Sequence, residues 1–224
     1  MPGLTVVFDL DGTLVDTAPD LIDTLNLMLV REGLPPLAYE AARKLIGGGA
    51  KAMIARGMAA RGGSIEPTRL ERLFADFIAH YTEHIADRSR PFPGLSEALD
   101  RLAAEGCAFA VCTNKLERLS RRLLDVLGLS HRFAAVCGQD TFGIAKPDPA
   151  ILRRTILAAG GDPARSVMVG DSATDIHTAR AAAVPVIAVD FGYSERPISE
   201  FAPDRIISHF DQLPAAIAAI SSTN

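Results

Sequence analysis

Residues 4–13 read Leu4-Thr5-Val6-Val7-Phe8-Asp9-Leu10-Asp11-Gly12-Thr13, a short apolar run ending in two carboxylates and a glycine. A run of four to eight residues, apolar on both faces, is the pattern of a strand buried in a parallel sheet. Similar runs recur at 107–112, 134–137, 166–169 and 184–189, and Ile206-Ile207 is a shorter one expected at a sheet edge. Helical patterns lie between them. Leu95, Leu99 and Leu102 share one face of 95–105; Leu119, Leu123, Leu124 and Leu127 share another over 117–127; 148–159 and 174–183 are further candidates. This alternation from 91 to 190 predicts a doubly wound, mainly parallel α/β sheet of Rossmann-like type.

Residues 17–88 interrupt the alternation. Leu21, Ile22, Leu25 and Leu29 form one helical stripe, and Leu70, Leu73, Phe74, Phe77, Ile78 and Tyr81 form a second. Pro35-Pro36 and Gly62-Gly63 punctuate the stretch, and Pro91 and Pro93 close it. The expected organisation is an α/β core of residues 1–16 and 90–224, with an all-helical module of residues 17–89 inserted after the first strand.

Composition narrows the function classes. With 48% hydrophobic and 22% charged residues the chain is globular rather than disordered. A net charge of −4 leaves no basic footprint for nucleic acid. No apolar stretch is long enough to span a membrane. Asp9 and Asp11 stand where a secretory leader needs a basic start and an apolar run, so a cytoplasmic protein is expected. Cys107, Cys112 and Cys137 lie in apolar runs and read as reduced, buried thiols.

In open α/β sheets ligands bind beyond the carboxyl ends of the strands. Those ends carry Asp9, Asp11, Gly12 and Thr13, then Thr113-Asn114-Lys115, then Lys146-Pro147, then Gly170-Asp171-Ser172 with Asp175. Carboxylates converging in one cleft repel, and a hard divalent cation such as Mg2+ relieves that repulsion. A lysine, a hydroxyl and an amide beside such a cation suit three phosphoryl oxygens, and an aspartate can attack phosphorus.

These four motifs, in this order, resemble those of the haloacid dehalogenase superfamily with a type-1 helical cap, and within it the phosphoglycolate phosphatase branch. Thr113-Asn114-Lys115 and Ile46-Gly47-Gly48-Gly49-Ala50 carry the closer likeness. The resemblance implies Asp9 as nucleophile and Mg2+ ligand. It implies Asp11 as the acid and base, with its backbone carbonyl on the metal. Asp171 would be the third ligand, and Asp175 would orient metal-bound water or Lys146. Thr113, Asn114 and Lys146 would hold phosphoryl oxygens, while Gly48, Gly49 and Lys51 of the cap would face the substrate.

The implied activity is Mg2+-dependent hydrolysis of a small phosphorylated metabolite, 2-phosphoglycolate, through an aspartyl-phosphate. The alternatives are another sugar or acid phosphate, pyrophosphate, phosphomutase activity, or a non-catalytic phosphate-binding regulator. No nucleic-acid or membrane partner is expected, and a monomer or homodimer fits.

Plainer readings stand beside several of these residues. Asp9-x-Asp-Gly could open a calcium loop, but that pattern needs glycine sixth and glutamate twelfth, where Leu14 and Asp20 stand. The glycine run at 47–49 lacks the Gly-Lys-Ser/Thr of a P-loop, and Lys51 alone reads equally as an exposed lysine. Asp175 could cap the helix that follows. His80 and His84 have metal-ligand spacing but read as a solvent-facing pair.

Overall fold

In the computed structural model, which describes residues 1–221, the chain divides into two compact units. One comprises Met1–Asp16 and the chain from Pro91 onward; the other is Thr17–Arg90.

The first unit is built on six strands: β1 (Thr5–Phe8), β2 (Ala108–Cys112), β3 (Ala135–Cys137), β4 (Ser166–Gly170), β5 (Val186–Val189) and β6 (Arg205–Ile207). Their order is β3-β2-β1-β4-β5-β6, every pair parallel. The chain moves outward on one side through β2 and β3, then crosses back to β4. The switch point therefore lies between β1 and β4, where doubly wound sheets bind ligands. The short strand at 205–207 is an edge, as the shortness of its apolar run predicts.

Alternate residues face opposite layers. Val7, Ala110 and Met168 join Ile151, Leu152, Ile156, Ile176 and Ala179 in one buried cluster. Phe8 points elsewhere, edge-on to Phe109 and Phe133 at centroid distances of 6.1 and 6.4 Å. Register then sets the rim. Phe8 pairs with Val111 and Val169, so Asp9 stands beside the last residues of β2 and β4, one step before Thr113 and Asp171. The Asp9 amide extends the ladder to the Val169 carbonyl at 2.9 Å.

The second unit holds helices Ala18–Arg31, Tyr39–Arg43, Ala50–Ala59 and Pro67–Glu83. Leu21, Ile22, Leu25 and Leu29 of the first stripe are buried, as are Leu73, Phe77, Ile78 and Tyr81 of the second. Gly57 lets the first and third helices close up: a Cβ there would lie 2.9 Å from Leu25. Asp20 ties the unit's two ends together. Its buried carboxylate accepts the Arg88 and Ser89 amides at 3.0 and 2.8 Å and the Ser89 hydroxyl at 2.6 Å. Gly48 and Gly49 have φ of +71° and +86°, and Gly49 precedes the helix that carries Lys51. Lys51 pairs with Glu71 at 2.7 Å above the Phe74 ring.

Candidate active site

Asp9 follows β1 directly, and its Oδ1 accepts the Leu10 amide at 2.7 Å and Lys146 Nζ at 2.9 Å. Lys146 is buried, and Nζ also reaches Asp175 Oδ1 at 2.7 Å. Burial works against the charged amine, yet Asp175 and Asp9 hold it above the usual lysine value.

Asp175 serves two neighbours at once. Its Oδ2 accepts the Ser172 amide and hydroxyl at 3.1 and 2.6 Å, closing a capping box at the start of helix Ala173–Ala181. Asp175 thus caps that helix and also contacts Lys146.

Asp171 follows β4. Thr13 Oγ1 donates to its Oδ1 at 3.2 Å, and the Tyr193 amide donates to its Oδ2 at 2.7 Å. Single carboxylate oxygens of Asp9, Asp171 and Asp175 all lie within 4.8 Å of one another. Burial, followed by the charges of Asp175 and Asp9, pushes Asp171 up to about 8. Burial likewise pushes Asp9 up to about 6, against the downward pull of Lys146. Acids held this far above their ordinary range are short of positive charge. Asp175 is paired with the Lys146 ammonium and the Ser172 donors, whereas both donors to Asp171 are neutral, so Asp9 and Asp171 are the pair suited to a hard oxygen-binding cation.

Two glycines allow this crowding. Gly12 has φ +83°, and a Cβ there would meet Asp171 Oδ2 at 2.4 Å. Gly192, in the loop after β5, would meet Asp171 Cβ at 2.2 Å and the Gly12 carbonyl at 2.6 Å. Gly192 and Tyr193 are absent from the residues the sequence singled out. Their signal was position: Asp190-Phe191-Gly192-Tyr193 leaves the end of a strand on the same rim. Beyond its amide, Tyr193 donates its hydroxyl to Asp16 at 2.6 Å.

The loop after β2 supplies the remaining groups. Thr113 is buried, and its hydroxyl accepts the Lys115 amide at 3.1 Å. Asn114, read as a phosphoryl-oxygen ligand by resemblance, lies beside Lys146. Its side chain binds the Lys146 backbone twice, accepting from the amide at 2.8 Å and donating to the carbonyl at 3.1 Å. Lys115, given no role by the sequence, reaches Asp11 Oδ1 at 2.9 Å with its side chain 5% exposed.

His80 and His84 stack with centroids 4.4 Å apart. Neither belongs to the acidic cluster, the one group of three or more candidate metal ligands among the described residues. Cys112 and Cys137 are buried, but Cys107 is only half-buried, since it precedes β2 rather than lying within it. Among the described residues no helix is long and apolar enough to cross a membrane.

Sheet order and rim chemistry together define a class: a doubly wound α/β enzyme with its reactive groups at the switch point. The chain belongs to the haloacid dehalogenase-like hydrolases, whose family profile matches residues 6–189. It is 50% identical over 213 residues to a phosphoglycolate phosphatase of Mesorhizobium japonicum, spanning 95% of this chain and 94% of that one. A predicted phosphoglycolate phosphatase from Haemophilus somnus 129pt superposes with a TM-score of 0.89 at 30% identity, over 96% of this chain and 97% of the other. CbbY from Rhodobacter sphaeroides, solved with phosphate, shares the fold with a TM-score of 0.78 at 24% identity, over 97% and 100%. This chain is a phosphoric monoester hydrolase of the family.

Proposed function

We propose that the protein hydrolyses 2-phosphoglycolate to glycolate and phosphate, with Mg2+, through an aspartyl-phosphate on Asp9. The observation that carries the reading is the buried Lys146 ammonium at 2.9 Å from the Asp9 carboxylate, inside an acidic cluster short of positive charge. The choice of substrate is supported by the relative at 50% identity.

Asp9, Asp171 and the backbone carbonyl of Asp11 would hold Mg2+, which when bound supplies charge neutralisation for the phosphoryl group. Lys146 and the Thr113 hydroxyl would bind phosphoryl oxygens as charge builds there. An Asp9 oxygen attacks phosphorus in line with the leaving oxygen, which takes a proton from the Asp11 carboxyl and departs as the alcohol. Asp11, now a carboxylate, accepts a proton from water. The resulting nucleophile attacks the aspartyl-phosphate, releasing phosphate and restoring both acids.

The test is kcat/KM for 2-phosphoglycolate, p-nitrophenyl phosphate, a hexose phosphate and pyrophosphate, with and without Mg2+, in the wild type and in Asp9→Asn. We expect 2-phosphoglycolate to rank first and the variant to be inactive. A hexose phosphate or pyrophosphate about tenfold better (~1.4 kcal/mol of transition-state binding) would overturn the substrate. Turnover by Asp9→Asn would overturn the mechanism.

A further inference from the structure

Two adjacent residues in the loop after β2 grip the two groups on which the proposed chemistry depends. Asn114 holds the Lys146 backbone with a donor and an acceptor, 32 residues away in sequence. Lys115 holds the Asp11 carboxylate at 2.9 Å, across 104 residues. Neither residue is adjustable in its setting. Asn114 and Lys115 are both buried, and the loop is braced from beneath. The Lys115 carbonyl accepts the Gln139 amide, and a Cβ on Gly138 would meet that carbonyl at 2.4 Å. The Glu117 amide, just beyond, is held by Asp140 at 2.7 Å.

The geometry points to Asn114 and Lys115 as positioning residues with separable duties: Asn114 sets Lys146 against the phosphoryl oxygens, and Lys115 sets the Asp11 carboxyl against the leaving oxygen. The inference rests on the hydrolytic reading above and deepens it. An amide whose oxygen and N–H both face the Lys146 main chain acts on the substrate through Lys146. A lysine ion-paired to Asp11 likewise acts through Asp11, fixing the direction from which its proton is delivered.

The two duties have different signatures. Every phosphate monoester develops charge on its phosphoryl oxygens, so loss of Asn114 lowers kcat/KM by a similar factor for all substrates. A misplaced Lys146 costs on the order of 10²-fold. Leaving-group protonation matters for alkyl phosphates and little for p-nitrophenyl phosphate. Loss of Lys115 therefore lowers kcat/KM for 2-hydroxyethyl phosphate about tenfold more than for p-nitrophenyl phosphate. This ratio is read in kcat/KM because that parameter covers transfer to Asp9 and not the later hydrolysis.

The experiment measures kcat/KM for those two esters, with Mg2+, in Asn114→Ala, Lys146→Ala, Lys115→Met, Lys115→Arg and Asp11→Asn, and in Asn114→Ala combined with Lys146→Ala. We expect Lys115→Met to steepen the leaving-group dependence and Lys115→Arg to restore it. We expect Asn114→Ala to cost less than about twofold once Lys146 is gone, because residues that act as one unit are not additive. If Asn114→Ala does not fold, Asn114→Asp is read the same way, since it keeps the acceptor but sets a carboxylate against the Lys146 carbonyl. Multiplicative losses in the double variant overturn the Asn114 assignment, and equal losses for both esters in Lys115→Met overturn the Lys115 assignment. Asp11→Asn is the control. If it fails to steepen the dependence, the hydrolytic reading itself falls; if it does and Lys115→Met does not, only the present inference falls.

Discussion

Asp171→Asn should stabilise the metal-free protein while removing its activity. The argument starts from the carboxyl's displacement from 3.8 to about 8. In the unfolded chain the acid is ionised at neutral pH, so folding must either protonate it or bury its charge. At about 1.36 kcal/mol per unit, this displacement sets a ceiling of about 5 kcal/mol at pH 8. Relaxation around the charge absorbs part of that, leaving an expected gain of about 2–3 kcal/mol for asparagine. Asparagine also fits locally. Its oxygen can accept the Tyr193 amide, and its NH2 can donate to the Thr13 hydroxyl, which reverses from donor to acceptor. The sign with pH follows from linkage. A folded-state value above the unfolded one gives stability that is complete below about pH 4 and is lost as pH rises through the folded value. In EDTA the wild type should therefore lose stability between about pH 4 and pH 8, with Asp9, pushed up to about 6, contributing to the lower half of that window. Asp171→Asn should flatten the upper half. Thermal melts at pH 5 and pH 8 in chelator provide the assay, and the Tm at pH 8 should rise roughly 5–10 °C. A destabilised Asp171→Asn protein at pH 8, or a wild type insensitive to pH in EDTA, would refute the reasoning.

Other expected outcomes address different parts of the molecule. EDTA should abolish turnover and Mg2+ should restore it, while Ca2+, with its larger and looser coordination, should inhibit; full activity in chelator would exclude the cation. Gly192→Ala should cost about 2–3 kcal/mol, because its methyl meets Asp171 Cβ and the Gly12 carbonyl, and should weaken Mg2+ binding measured by calorimetry. Asp20→Asn leaves one acceptor where three donors converge. It should cost about 2–4 kcal/mol and speed amide exchange at Arg88 and Ser89 while leaving the sheet amides protected.

The parallel sheet was legible because its strands are buried on both faces and carry unbroken apolar runs. Asp9, Thr113 and Asp171 were legible because each directly follows such a run, and parallel strands bring their carboxyl ends to one rim. What escaped the sequence depends on contacts between distant segments. Nothing local at Asn114 indicates that the Lys146 main chain lies within hydrogen-bond distance. Lys115 reads as an ordinary lysine until Asp11 is found beside it. Tyr193 acts on Asp171 through its amide, a group every non-proline residue has. The strands Val15–Asp16 and Arg90–Pro91 are two residues each, too short for periodicity to register. Helix Leu213–Ser221 is apolar around most of its surface, so it offers no stripe.

Charge balance links these details. The rim holds the carboxylates of Asp9, Asp11, Asp171 and Asp175 against the ammonium groups of Lys115 and Lys146. The lysines are not shared evenly: Lys115 faces Asp11, while Lys146 lies between Asp9 and Asp175. Asp171 is the acid with no lysine within ion-pair distance among the described residues, and it is also the one pushed highest. Its donors, a hydroxyl and a backbone amide, are neutral, so they orient the carboxylate without cancelling its charge. With all four ionised, four negative charges against two positive ones leave an excess of two, which a divalent cation would cancel; with Asp11 protonated, as the proposed acid step needs, the excess is one. A phosphate dianion would then approach a rim without net repulsion. The same excess explains why the site should cost stability when empty of metal and why a neutral residue at 171 should recover that cost. Binding and folding are therefore opposed at one side chain, and the sign of a single substitution measured in chelator reports on both.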